Sequence, residues 1–218
     1  MMKAAAGSKA AAKRWDGAEA DRDERHRTKR RAILDRAARL FAQRGYGETT
    51  LDDIARELAV TKPTLYYYVR SKEDILVQIL EAALTGALAA FAEVHREGRT
   101  GLERLRLFVR RWVEDMTHPY GRCLLTMRAT PLGAKTRARL NVGFRQLDAL
   151  VRELIADGIG DGSIAACDVR MATFAIFGAI NTVPFWYRAG GVLTPREAGD
   201  ALFAVMARGI AAPGEVSP

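Results

Sequence analysis

The sequence predicts an all-α chain: a small three-helix head containing a helix-turn-helix, followed by a larger helical half. Three observations carry this. Apolar residues recur at helical spacing from Arg25 onward, and no run alternates as a strand would. Capping residues stand at the expected helix starts. Two short helices joined by about four residues are followed by a longer one, the helix-turn-helix pattern.

In "KRRAILDRAARLFAQRGYG", Ile33, Ala37, Leu40 and Phe41 share one face, and Gly45 offers a left-handed stop. Thr50 opens the second helix with Asp53 three residues on, a capping box with Asp in the usual Glu place. Leu51, Ile54, Ala55 and Leu58 form its inner face. Thr61 caps a third helix, with Pro63 tolerated in its first turn because no intrahelical N–H is needed there. Ser71 with Asp74 caps a fourth, running from Lys72 to about Val94. Residues 1–24, rich in Ala and Gly and then acidic, are expected to be a disordered tail, as are residues 213–218. The head then spans 25–71 and the larger half 72–212.

That half begins with "TGLERLRLFVRRWVEDM", capped by Thr100 and Glu103 and broken at "HPYG". A short segment from Arg122 to Thr130 precedes Pro131. A long helix is expected from about Ala134 to Ala156, closed by "DGIGDGS". A buried helix follows from Asp168 to about Arg188, then a last helix opened by "TPRE", with Thr194 as cap and Pro195 in the first position. The apolar stretch "MATFAIFGAINTVPFW" falls short of the roughly 20 residues a spanning helix needs, and Asn181 and Pro184 interrupt it. No membrane partner is expected.

The net charge of +8 favours a polyanionic partner. Arg25 to Ile75 holds twelve Lys/Arg against seven Asp/Glu, so the head carries part of that excess. The third helix adds three adjacent tyrosines. Leu65 and Val69 face inward, and Tyr66, Tyr67 and Tyr68 flank them beside Lys62 and Thr64. Hydroxyls, a lysine and a helix start suit phosphate oxygens and groove edges. The candidate DNA-contacting set is therefore Thr50, Thr61, Lys62, Pro63, Thr64, Tyr66, Tyr67, Tyr68 and Lys72. The bland alternative is one core tyrosine and two surface ones.

From Thr50 to Leu76 the chain resembles the TetR family of bacterial transcriptional repressors. Thr50, Ile54, Ala55, Val60, Tyr66, Lys72 and Leu76 match the family pattern; Leu58, Ala59, Thr61, Pro63, Tyr68 and Val69 depart from it. The resemblance implies that Tyr66, Tyr68 and Lys72 hold phosphates and that Lys62 to Thr64 approach bases. Ala59 replaces a turn glycine, at a cost of order 1 kcal/mol if its φ is positive. Pro63 replaces a glycine that allows close backbone approach, so base contacts do not transfer.

The helix from Met171 to Tyr187 is apolar nearly all round and must be covered on every side. A second subunit would cover it, and the resemblance implies a homodimer built from the last two helices of each chain. The interface candidates are Phe174, Phe177, Gly178, Leu202, Val205 and Met206. "FWYRAGGVLTPREAGDALFAVMARGI" is similar to one TetR subgroup in which some members sense acyl-CoA thioesters. Candidates for a small-molecule effector pocket are Trp112, Met116, Met127, Phe144, Phe177, Asn181 and Phe185, with Arg122, Arg128 or Arg145 for an anionic head group. Each of these is also an ordinary core residue or a solvated charge on the blander reading.

His26, His95 and His118 lack metal-ligand spacing, and no cofactor is expected. Cys123 reads either as a redox sensor or as an inert buried thiol, and the two cysteines suggest no disulfide framework, which fits the cytoplasm. The expected function is a ligand-released repressor on a palindromic operator. The alternatives are a helical enzyme acting on an acyl thioester, for which no nucleophile–base pair is visible, and a nonspecific architectural DNA binder.

Overall fold

The computed structural model describes residues 4–127 and 130–210, with side chains over 23–127 and 130–209. Arg128 and the segment 211–218 lie outside the described residues, as do residues 1–3. Every described element is a helix except for connecting turns.

The first helix, α1 (Ala4–Arg44), starts far earlier than the sequence suggests. Its backbone is helical where composition pointed to a disordered tail. Alanine and lysine are strong helix formers, and composition alone underrates that. Gly45, at φ +87°, ends α1, and its N–H donates to the Phe41 carbonyl at 2.9 Å. α2 (Leu51–Glu57) and α3 (Lys62–Tyr66) follow, then α4 (Lys72–Glu97). Thr50 and Asp53 form the reciprocal capping box, while Thr61 and Ser71 cap α3 and α4. The α2–α3 turn places Ala59 at φ +53°, the strained backbone that the missing glycine implied. Ile33, Phe41, Ile54, Leu65, Val69 and Ile75 close a compact core beneath the head.

The larger half contains α5 (Gly101–Thr117), α6 (Pro119–Thr126), α7 (Ala134–Asp161), α8 (Val169–Ile180), α9 (Val183–Trp186) and α10 (Pro195–Ile210). α4 is its spine. It is long and apolar enough to cross a membrane. Its apolar face, however, including Ile79, Leu84, Phe91 and Val94, is buried among neighbouring helices. Length and composition alone pass the core helix of a soluble protein by the same test.

Three boundaries differ from expectation. "HPYG" interrupts the chain for one residue only: His118 is extended, and Pro119 starts α6, a position where its missing N–H costs nothing. α7 runs past Ala156 through two glycines and stops at Gly162, which is left-handed at φ +80°. Gly158 serves packing rather than termination, because a Cβ on Gly101 would run into its backbone and a Cβ on Gly158 into Ile164. The stretch expected as one buried helix is two, α8 and α9, parted at Asn181 and Thr182. It is not buried all round either: Met171, Phe174, Phe185 and Trp186 are exposed.

Candidate DNA-reading head and effector cavities

Thr61 caps α3, accepting the Thr64 N–H at 3.4 Å, and the two hydroxyls lie 2.8 Å apart. Leu65 is buried, which turns Thr61, Lys62, Pro63, Thr64, Tyr66 and Tyr67 outward. Tyr66 is 49% exposed and Tyr67 72%. Tyr68 is half-buried, its ring 4.8 Å from the His26 ring of α1. His26 also meets Tyr67 edge-on at 5.6 Å. Sequence reasoning missed this imidazole, which lies far from the tyrosines along the chain and carries no local signal. Lys62 is exposed but held: its ammonium donates to Asp52 of α2 at 2.9 Å, which raises its pKa. Thr50 is exposed, and its hydroxyl donates to Asp53 at 2.6 Å.

Lys72 sits differently from the expectation of a free phosphate ligand. Its ammonium donates to the carbonyls of Tyr46 and Thr49, both at 2.9 Å, with Gly47 at 3.5 Å, and lies 4.3 Å from the centre of the Tyr46 ring. An ammonium has three protons, so two are firmly committed to the α1–α2 loop and the third points at it. In this structure Lys72 fastens the start of α4 to the loop that leads into α2.

The effector candidates do not converge on one cavity. Trp112 is buried and donates from Nε1 to Asn181 Oδ1 at 3.1 Å, with the Phe177 ring 5.6 Å away. These three form a packed knot tying α5 to α8. Phe185 is exposed on α9. Arg122 is half-buried and Arg145 exposed, and neither lines a described cavity. Met127 and Phe144 do share one. It measures about 200 Å³ between α4, α6 and α7, with Leu80, Leu124 and Leu140 as apolar wall and Arg137 and Asn141 as polar members. Arg137 was not among the candidates. Its signal lay in the basic start of α7, Lys135, Arg137 and Arg139, which reads equally well as solvated charge. Arg139 pairs with Glu81 of α4.

Met116 lines a second, larger groove of about 700 Å³ between α1, α4, α5 and α6. Here α6 is fastened to the head: Tyr120 Oη donates to Asp35 at 2.8 Å, and the Cys123 thiol to the Ala38 carbonyl at 3.5 Å. Burial pushes the Cys123 thiol up to about 12. Such a group stays a thiol at neutral pH and is a poor redox sensor.

Two short helices propped on α4, with a larger helical body packed against the same helix, define a helix-turn-helix class of DNA-binding protein. Residues 98–210 match the family described as "Tetracyclin repressor-like, C-terminal domain" and residues 33–79 the "Bacterial regulatory proteins, tetR family". The chain belongs to the TetR family of transcriptional regulators and is not an enzyme. It is 26% identical to the fatty acid metabolism regulator protein of Bacillus subtilis, over 73% of this chain and 84% of that one. It is 26% identical to the transcriptional repressor KstR2 of Mycobacterium tuberculosis, over 86% and 95%. Among solved structures, AibR in complex with isovaleryl coenzyme A and operator DNA superposes with a TM-score of 0.71 at 26% identity, over 81% of this chain and 96% of that one.

Proposed function

We propose that this protein is a cytoplasmic homodimeric repressor that binds a palindromic operator and is released by a small, largely apolar effector with an anionic head, a short-chain acyl-CoA being the first candidate. One observation carries the reading. α4 places Leu80 in the wall of the α4–α6–α7 cavity and, two turns earlier, fastens the head through Lys72. A ligand that displaces the cavity wall therefore acts on the element that aims the reading head.

The cavity, about 200 Å³, is below the roughly 300–1,000 Å³ of sites that enclose a whole drug-sized ligand. It suits an acyl chain of a few carbons, with the bulk of the coenzyme outside. Lys135, Arg137 and Arg139 stand exposed along the start of α7, where phosphates would meet fixed cations. The relative that carries isovaleryl coenzyme A supports this choice of effector class. The two heads of a dimer must sit about 34–36 Å apart to enter successive major grooves. The effector works by binding the form that breaks this spacing more tightly, since equal affinity for both forms shifts nothing.

The test is a titration of operator-bound protein with acyl-CoAs of several chain lengths, beside free acids and neutral hydrophobes. Short thioesters should release DNA, and Arg137→Ala should require about tenfold more, equivalent to about 1.4 kcal/mol. Release by neutral compounds and by no thioester would retire the acyl-CoA assignment.

A further inference from the structure

The larger groove between α1, α4, α5 and α6 has the opposite electrostatic character from the cavity just described. Its floor is a stripe of small residues on one face of α4, Ala83, Gly86, Ala87 and Ala90, and Leu34 and Met116 add apolar wall. Four carboxylates, Asp35, Glu93, Glu114 and Asp115, line it. Asp35 Oδ1 takes the Tyr120 hydroxyl. The carboxylates of Glu114 and Asp115 have no hydrogen bond or ion pair among the described residues. Of the cations nearby, Arg111 is engaged by Glu93 at 2.7 Å and Glu97 at 2.9 Å, leaving Arg31 and His118 at the edge. The groove thus combines about 700 Å³ of space, an apolar floor, an aromatic ring in Tyr120 and more carboxylate than free cation.

We propose that this groove binds a small organic cation with an apolar body, of the quaternary or protonated tertiary amine class. The apolar body rests on the α4 stripe and the charge lies between Asp115, Glu114 and the Tyr120 ring. A carboxylate out of water without a partner disfavours its own ionised form. Burial accordingly raises the Asp115 pKa, with Glu114 adding to it against the opposing pull of His118 and Arg111. A bound cation relieves that cost, and an aromatic face adds attraction for a weakly hydrated ammonium. An acyl-CoA has the wrong sign for this groove.

The probe is benzyltrimethylammonium, titrated calorimetrically into the full chain, with benzyl alcohol and benzenesulfonate as neutral and anionic counterparts. The expected result is saturable binding of one cation per chain, at least tenfold tighter than either counterpart, weakened about tenfold by Asp115→Asn. Gly86→Leu fills the groove from a helical position where a new Cβ meets nothing within 4 Å. It should abolish binding while the thermal unfolding temperature stays the same or rises, because a glycine inside a helix is destabilising. The proposal is overturned if the cation shows no saturable binding, if benzenesulfonate binds as tightly, or if Gly86→Leu, still folded, binds it unchanged.

Discussion

Tyr120 of α6 donates its hydroxyl to Asp35 of α1 across 2.8 Å, so the head is joined to the body through α6 as well as through the α3–α4 connection. Burial first, and then the bond to Asp35, raise the Tyr120 pKa, so the phenol stays a neutral donor. Hydrogen bonds to charged groups contribute roughly 1.5–3 kcal/mol, and half-burial places this one at the low end. Tyr120→Phe is expected to destabilise the protein by about 1–2 kcal/mol in urea unfolding. In a double-mutant cycle, Asp35→Ala should cost little more once the hydroxyl is gone. Fully additive effects would show that the two groups do not interact.

Ala59 sits at φ +53° in the α2–α3 turn, where a Cβ crowds the following carbonyl. Glycine relieves a strain of about 1 kcal/mol there, partly offset by its larger chain entropy when unfolded. Ala59→Gly should therefore raise the unfolding temperature without altering operator sequence preference. A lower unfolding temperature would mean that the turn is not left-handed.

Two lysines of the head should separate cleanly. Lys72 holds loop carbonyls and Lys62 an exposed aspartate. Lys72→Ala should cost roughly 1–3 kcal/mol of stability. Lys62→Ala should cost less than about 1 kcal/mol, as surface ion pairs do. Lys62→Ala should instead change the operator, since it also frees Asp52 beside the reading helix. Thermal melts with binding to a small operator library decide this, and equal stability of the two variants would contradict the assignment of Lys72.

How much of this was legible in the sequence depended on the range of the cause. Caps are bonds between residues three apart, so Thr50, Thr61, Ser71, Thr100 and Thr194 marked helix starts correctly. The strain at Ala59 was legible because a turn sets its own dihedral angles. Gly158 misled because its reason lies across the fold, in the backbone of Gly101. The partners of Lys72 were out of reach similarly, since they lie in the loop after α1 and a lysine near tyrosines looks the same whether it meets phosphate or carbonyl. Cavities were least legible. They are the residue of imperfect packing between helices, and nothing in an apolar stripe distinguishes Phe144, beside a space, from Phe177, which fills one.

The caps also set the acid limit. The Asp53 carboxyl is lowered chiefly by the Thr50 hydroxyl, Glu103 by the Arg99 N–H, and Glu197 by the Thr194 N–H. A depressed folded pKa gives stability that is present above the unfolded value, about 3.9 for Asp and 4.3 for Glu, and lost as pH falls through the folded one. Asp115, raised by burial, works with the opposite sign and favours the folded state as pH falls. Unfolding free energy should be nearly flat from pH 7 to about pH 5 and drop below about pH 4. Glu103→Gln should blunt that drop, and an acid limb unchanged in this variant would remove the cap from the account.

The exposed face of the last helices is the remaining place where charge should undo function. On α8, Met171, Phe174, Ala175 and Gly178 are exposed at spacings of three and four, a single helical stripe. On α10, Ala201, Ala204 and Val205 form another, with Val205 72% exposed. Small residues beside large ones would let two helix pairs approach closely, and this is the surface the proposed dimer would bury. The interface candidates divide accordingly. Phe174, Gly178 and Val205 face outward, Leu202 and Met206 are half-buried, and Phe177 turns in against Phe108 and Trp112. Val205→Asp should leave a folded chain that runs as a monomer by light scattering and binds operator far more weakly, because one reading head reaches only half a palindrome. Phe177→Asp should instead unfold the chain, since it places a carboxylate in the aromatic knot beside Trp112. A Val205→Asp protein that remains a dimer and holds operator at wild-type affinity would move the interface away from α8 and α10.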